Sequence, residues 1–167
     1  MGMRTIEQPI PFVEQGSRPW CWAACCAMAI GYFTPAKYAP SRGEIVEFVK
    51  AQPKGSCAAD PPVGTLQGDH LHMMRLAIAQ LARRKTTTVP PISAPDLHAS
   101  MERGDVVILG VPGHVMVASG LRFPRATFAA AELRINDPAL ASPYWTHFAN
   151  VKHALTDCIV VHVSEYV

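Results

Sequence analysis

The rhythm of apolar and polar positions changes about two thirds of the way along the chain. Up to about residue 104 the apolar residues recur at helical spacing; beyond it they gather in short β-branched runs bounded by Gly, Pro and Asp. Cys21 to Phe33 is rich in alanine and free of proline, which predicts a tightly packed, buried helix. Ser41-Arg42-Gly43-Glu44 fits a capping box, and Ile45, Val46, Phe48 and Val49 continue it as an amphipathic helix. Asp69 is placed to cap a longer helix reaching about Arg84, with Leu71, Met74, Ile78 and Leu81 on its apolar stripe. The basic run Arg83-Arg84-Lys85 then reads as that helix's C-terminus, where the macrodipole favours cations. Ser93-Ala94-Pro95-Asp96 opens a short helix that Gly104 ends.

Four strands are expected in the second half, over residues 105–111, 114–121, 133–137 and 157–164, with Pro112-Gly113 turning the first two into a hairpin. Helices first and antiparallel strands afterwards predict an α+β domain. One domain is expected over residues 1–167, with a helical half to about 104 and a sheet half from about 105. Fifteen prolines punctuate the loops, and neither a repeat nor a low-complexity tract interrupts the chain.

Composition narrows the function classes. The 167 residues are 49% hydrophobic and 17% charged, which suits a globular protein large enough to build its own core. A net charge of +2, with the positive residues scattered, argues against a nucleic-acid partner. No apolar run reaches the roughly 18–20 residues that cross a bilayer, so no membrane partner is expected. Residues 1–6 lack a signal-peptide core, and Ile6 stands where a myristoylation signal wants Ser or Thr. The expectation is a cytoplasmic protein as synthesised, with export by a route that needs no cleavable signal left open. Five cysteines are an odd number without secretory context and read as reduced thiols.

The densest chemistry lies in Gln15-Gly16-Ser17-Arg18-Pro19-Trp20-Cys21-Trp22-Ala23-Ala24. Pro19 stops any helix upstream, so Cys21 falls in the first turn of the next one, where unpaired N–H groups and the macrodipole favour a thiolate. Gln15, six residues earlier across a Gly-containing turn, can fold back to bring its amide beside the sulfur, where an oxyanion would form.

Gln-Gly, four residues, then Cys-Trp-Ala resembles the active-site segment of papain-like cysteine peptidases. The resemblance implies that Cys21 is the nucleophile, that Gln15 completes the oxyanion hole and that Trp22 packs behind the Cys. It departs at Trp20, where plant and lysosomal members carry a small residue, and it lacks their disulfide-forming cysteine just before the nucleophile. These departures resemble the compact bacterial branches: bacteriocin-leader-processing peptidases, staphopain-like enzymes and effector proteases. The resemblance runs from about residue 8 to the end. Cys25 and Cys26 read as packing residues one turn on.

Of seven histidines, His114 follows Pro112-Gly113 and opens a strand, which resembles the family's general base. His70 and His72 are two apart on a presumed helix, a poor spacing for metal ligands, and His98, His147, His153 and His162 read as surface or strand-face residues. The group that orients the imidazole should come from the strand ending Ile135-Asn136-Asp137-Pro138, whose end lies beside the start of the His114 strand. Alternation puts Asp137 on the face of Leu133 and Ile135; that apolar face is expected to turn toward the helical half carrying Cys21, so Asp137 is favoured over Asn136.

The expected activity is peptide-bond hydrolysis through a Cys21 thioester, with no metal or organic cofactor and a protein or peptide substrate. The expected cleft-lining loops are those near residues 53–68 and 121–131. By analogy the chain suits an exported bacterial effector or toxin, with a cognate inhibitor or immunity protein as partner. A deamidase or transglutaminase using the same triad is the first alternative, and a catalytically silent binding module the second.

Overall fold

The computed structural model describes residues 2–52 and 68–167, with residues 68–70 described as backbone only. At its centre lies α1 (Cys21–Phe33), whose residues Trp22 to Ile30 are all buried. Its alanines and cysteines are small enough for neighbours to approach from every side, as a helix apolar all round requires. Packed beside it are α2 (Arg42–Lys50) and α3 (Gly68–Ala82). The capping box of α2 forms as expected: Glu44 N–H donates to Ser41 Oγ at 3.2 Å, and Ser41 N–H donates to Glu44 Oε2 at 2.7 Å.

α3 departs from expectation at both ends. Its described residues run from Gly68, so Asp69 lies within the helix and does not cap it, and it stops at Ala82 because Arg83 takes a left-handed backbone with φ 56°. The basic run therefore does not close a helix. Arg84 opens a strand, and its guanidinium lies between the rings of Phe33 (4.9 Å) and Tyr166 (4.2 Å) while donating to Val163 O. Stacking on two aromatic faces replaces the macrodipole as the charge's partner. α4 (Ala94–Arg103) forms as read, with Ser93 Oγ accepting from Asp96 N–H and Gly104 in the left-handed conformation at φ 87°.

Seven described strands form one sheet in which every pairing is antiparallel. They are β1 (Met3–Glu7), β2 (Arg84–Val89), β3 (Val106–Val111), β4 (His114–Pro124), β5 (Glu132–Asn136), β6 (Tyr144–His147) and β7 (Cys158–Tyr166), in the order β2-β7-β3-β4-β5-β6. β1 pairs with the far half of β4, beyond the end of β3. β1 and β2 both precede residue 104, so the sheet is not confined to residues after it. Residues 121–124, expected in a loop, belong to β4, and residues 53–67 of the other expected loop lie outside the described residues. A four-residue helix, α5 (Phe148–Val151), follows β6.

The sheet divides the core. Val106, Ile108, Val115 and Val117 face α1, whereas Val107, Leu109, Leu133 and Ile135 pack with α4. Histidines also differ from expectation: His98 is buried against Phe123, edge-on at 5.0 Å, and is not a surface residue. His162 does lie on a strand face, with Nε2 2.7 Å from Thr87 Oγ1. Among the described residues no helix is long and apolar enough to cross a membrane.

At the middle of β4 a bulge leaves Ser119 opposite no residue of β5, and Gly120 follows it under tight packing. A Cβ there would lie 3.1 Å from Ile6 O and 3.1 Å from Arg134 Cβ, with backbone on one side that cannot give way. Gly120→Ala is expected to destabilise the fold by about 1–3 kcal/mol, the usual cost of overpacking, as measured by denaturant unfolding. Unchanged stability would mean that β1 is held loosely on β4.

Candidate active site

Cys21 is the first residue of α1 and is half-buried, so its sulfur stays within reach of solvent. Trp20 at the N-cap makes no side-chain capping bond, and the first turn carries no acidic residue. The positive end of the macrodipole is thus left to act on the Cys21 sulfur. Trp22 is 3% exposed and packs in the core behind it.

His114 opens β4 immediately after the tight turn at Pro112-Gly113, where Gly113 supplies φ 76° and His114 pairs with Val111. Its Nε2 lies 2.6 Å from Asp137 Oδ1. That leaves Nδ1 for Cys21, with which the imidazole also makes a hydrogen bond. Burial works against a charge on His114, but the hydrogen bonds to Asp137 and Cys21 and their charges outweigh it and raise its pKa to about 9.

Asp137 follows directly on β5. Burial would raise its pKa, yet the hydrogen bonds from His114 and from the backbone of Ala139 (2.9 Å to Oδ1) hold it below the ordinary carboxylate value. Asn136 points elsewhere: it is fully buried, with Oδ1 accepting from Ser119 Oγ at 2.8 Å and Nδ2 donating to Ile10 O at 3.4 Å. The face argument that separated these two residues needs correction. Leu133 and Ile135 face α4 and not α1, so Asp137 does not reach the Cys21 side through its apolar face. His114 and Asp137 instead lie at the strand ends, where the end of the sheet meets the N-terminus of α1.

Gln15 is tied to the same place. Its backbone N–H donates to Pro138 O at 2.8 Å, one residue after Asp137. One amide N–H donates weakly to Arg18 O at 3.4 Å, leaving the second for another acceptor, while its Oε1 is buried without a partner among the described residues. Gly16 next to it needs φ 74°, a conformation that glycine adopts at no steric cost.

Cys25 and Cys26 are wholly buried, and Cys26 Sγ lies 3.8 Å from Met74 O. Burial first, and then the neighbouring Cys21, push both thiols well above their ordinary values, and the Asp137 charge also reaches Cys25. Cys21, Cys25, Cys26 and Cys158 are all free thiols. Two neighbours of the site were absent from the sequence reading. Tyr144, opposite Ile135 on β6, has its hydroxyl pKa raised by burial and by Asp137. Arg42 donates to Glu14 O beside Gln15; its position inside a capping box, where cations are disfavoured, was the available signal.

No protein-family model and no curated protein matches the sequence. Solved structures do match the fold. A putative C39-like peptidase from Bacillus anthracis superposes with TM-score 0.67 at 13% identity, over 97% of this chain and 99% of that one. UfSP from C. elegans gives TM-score 0.66 at 12% identity over 99% of this chain, which spans 35% of the length of UfSP. A double glycine motif protease from an AMS/PCAT transporter, solved with the leader peptide, gives 0.58 at 16% identity over 94% of both chains. With helices on a seven-stranded antiparallel sheet and this set of structural neighbours, the chain has the α+β fold of the papain-like cysteine peptidases.

Proposed function

We propose that the protein is a cysteine peptidase that hydrolyses peptide bonds through a Cys21 thioester. The observation that carries this reading is the hydrogen-bonded series Asp137–His114–Cys21 ending at the first turn of α1. A fold alone does not define an activity, so the argument rests on these groups. Asp137 accepts the Nε2–H of His114 and keeps Nδ1 available to take the Cys21 thiol proton. The thiolate attacks the amide carbonyl, and the charge that develops on oxygen is met by the Gln15 amide and the Cys21 backbone N–H. The imidazolium then gives its proton to the departing amine, and water resolves the thioester. The leader peptide bound by the double glycine motif protease supports a peptide as substrate.

The test pairs labelling with cleavage. Iodoacetamide near neutral pH is expected to modify Cys21 well before Cys25, Cys26 or Cys158, whose thiols burial suppresses. The unlabelled protein, incubated with a pool of synthetic peptides, is expected to generate new peptide termini, and the labelled protein none. Intact peptides whose side-chain amides have become acids would make the enzyme a deamidase. Intact peptides joined to an added amine would make it a transglutaminase.

A further inference from the structure

Arg42 is the first residue of α2, at the positive end of the helix macrodipole, where a cation is disfavoured. Among the described residues it has no carboxylate partner to offset that placement. Its half-buried guanidinium is directed instead at the turn that carries Gln15. Nη1 donates to Glu14 O, and Nη2 lies so close over Gly16 that a Cβ there would be 2.8 Å away. Gly16 is held to glycine by its φ of 74°, and the absence of a Cβ leaves room for the guanidinium against it. On the opposite side the Gln15 N–H is fastened to Pro138 O. The turn is therefore gripped by α2 before Gln15 and by the sheet half at Gln15. The base of Arg42 is itself fixed by the reciprocal Ser41 and Glu44 bonds of the capping box.

We infer that Arg42 is a positioning residue for the oxyanion side of the cleft, holding the turn that carries the Gln15 amide; the inference rests on the role proposed above for Gln15. The guanidinium suits the task because one of its nitrogens donates to the Glu14 carbonyl while the other lies against Gly16, a two-point contact that an ammonium cannot make. A local rule of helix construction is broken here, and the positioning of the adjacent turn is the compensating gain.

The test is a double-mutant cycle on cleavage of an internally quenched peptide pool. Arg42→Ala is expected to lower kcat by about tenfold to a hundredfold with KM nearly unchanged, a fraction of what an oxyanion donor contributes. In a Gln15→Ala background the same change should have an effect of about twofold or less, because the group it positions is gone. Arg42→Lys should recover only part of the loss. The rate of Cys21 alkylation should stay unchanged in Arg42→Ala, which separates misplacement of the turn from damage to the Cys21–His114 pair. If Arg42→Ala does not fold, Arg42→Met keeps the aliphatic stem and gives the same comparison. Equal losses in both backgrounds, or slowed alkylation, would overturn the inference while leaving the peptidase reading intact. A Gln15→Ala variant with undiminished kcat would instead remove the oxyanion role on which it stands.

Discussion

Replacing Cys21 by alanine is expected to lower kcat by about a millionfold, the scale on which an enzyme loses its nucleophile. The loss should be total for practical purposes because no other thiol among the described residues can substitute. Cys25 and Cys26 are fully buried, and Cys158 lies on β7 in the core on the α4 side of the sheet. The fold should be unaffected, since Cys21 is half-exposed at the start of α1 and its removal opens no internal cavity. Peptide binding should survive, since the substrate's contacts with the cleft do not depend on the sulfur. The variant then serves as a trap, and mass spectrometry of what it retains identifies the substrate. Turnover comparable with that of the unaltered protein would place the nucleophile elsewhere.

Asp137→Ala should cost about 10²–10⁴-fold in kcat/KM, the range for removing the group that orients a catalytic imidazole. The pH profile gives the more specific result. With the carboxylate present, the imidazolium persists until pH approaches about 9, so the alkaline limb of activity should fall there. Without it, burial acts on His114 with less opposition, and the limb should move toward the ordinary imidazole value of 6.5. Stability follows the same sign. His114 is raised on folding, so the pair's contribution is full below 6.5 and is lost as pH rises through about 9. At the acid end Asp137 is lowered on folding, so the contribution is lost as pH falls below 3.8 through the folded value. Asn136→Ala is the control: it should reduce stability by breaking buried bonds to Ser119 and Ile10 without moving the limb. A limb that stays in place in Asp137→Ala would detach Asp137 from the imidazole's protonation.

Much of the helical architecture was legible because its signals are local. Ser41 with Glu44, and Ser93 with Gly104, mark their helices within a few residues of chain. The strands β1, β2 and β6 were not legible for the opposite reason. β1 is exposed along most of its length, β6 is four residues long, and β2 starts inside a basic run that reads as the end of a helix. Each depends on a partner far away in the chain, and only Thr86, Thr87 and Thr88 of β2 offered a local hint. The nearness of His114 and Asp137 could be read from a hairpin turn and a strand ending. Which face turns toward α1 could not, because both faces of the sheet are apolar and both are covered.

The burial of α1 has a consequence for how this protein can change. The helix that carries Cys21 is also the centre of the molecule, and Ala23, Ala24, Cys25 and Cys26 on its next turn have no exposed surface. A larger side chain at any of them would shift the helix and carry the sulfur away from His114, so durability and reactivity are inherited together along this segment. Divergence toward new substrates is therefore channelled to the sheet side. There, residues 125–130 and 140–143 lie in the connections between paired strands, beyond Asp137 and the Pro138 carbonyl that fastens Gln15. A lineage built on this plan would keep its nucleophile helix nearly invariant in volume while those two connections varied in length and chemistry.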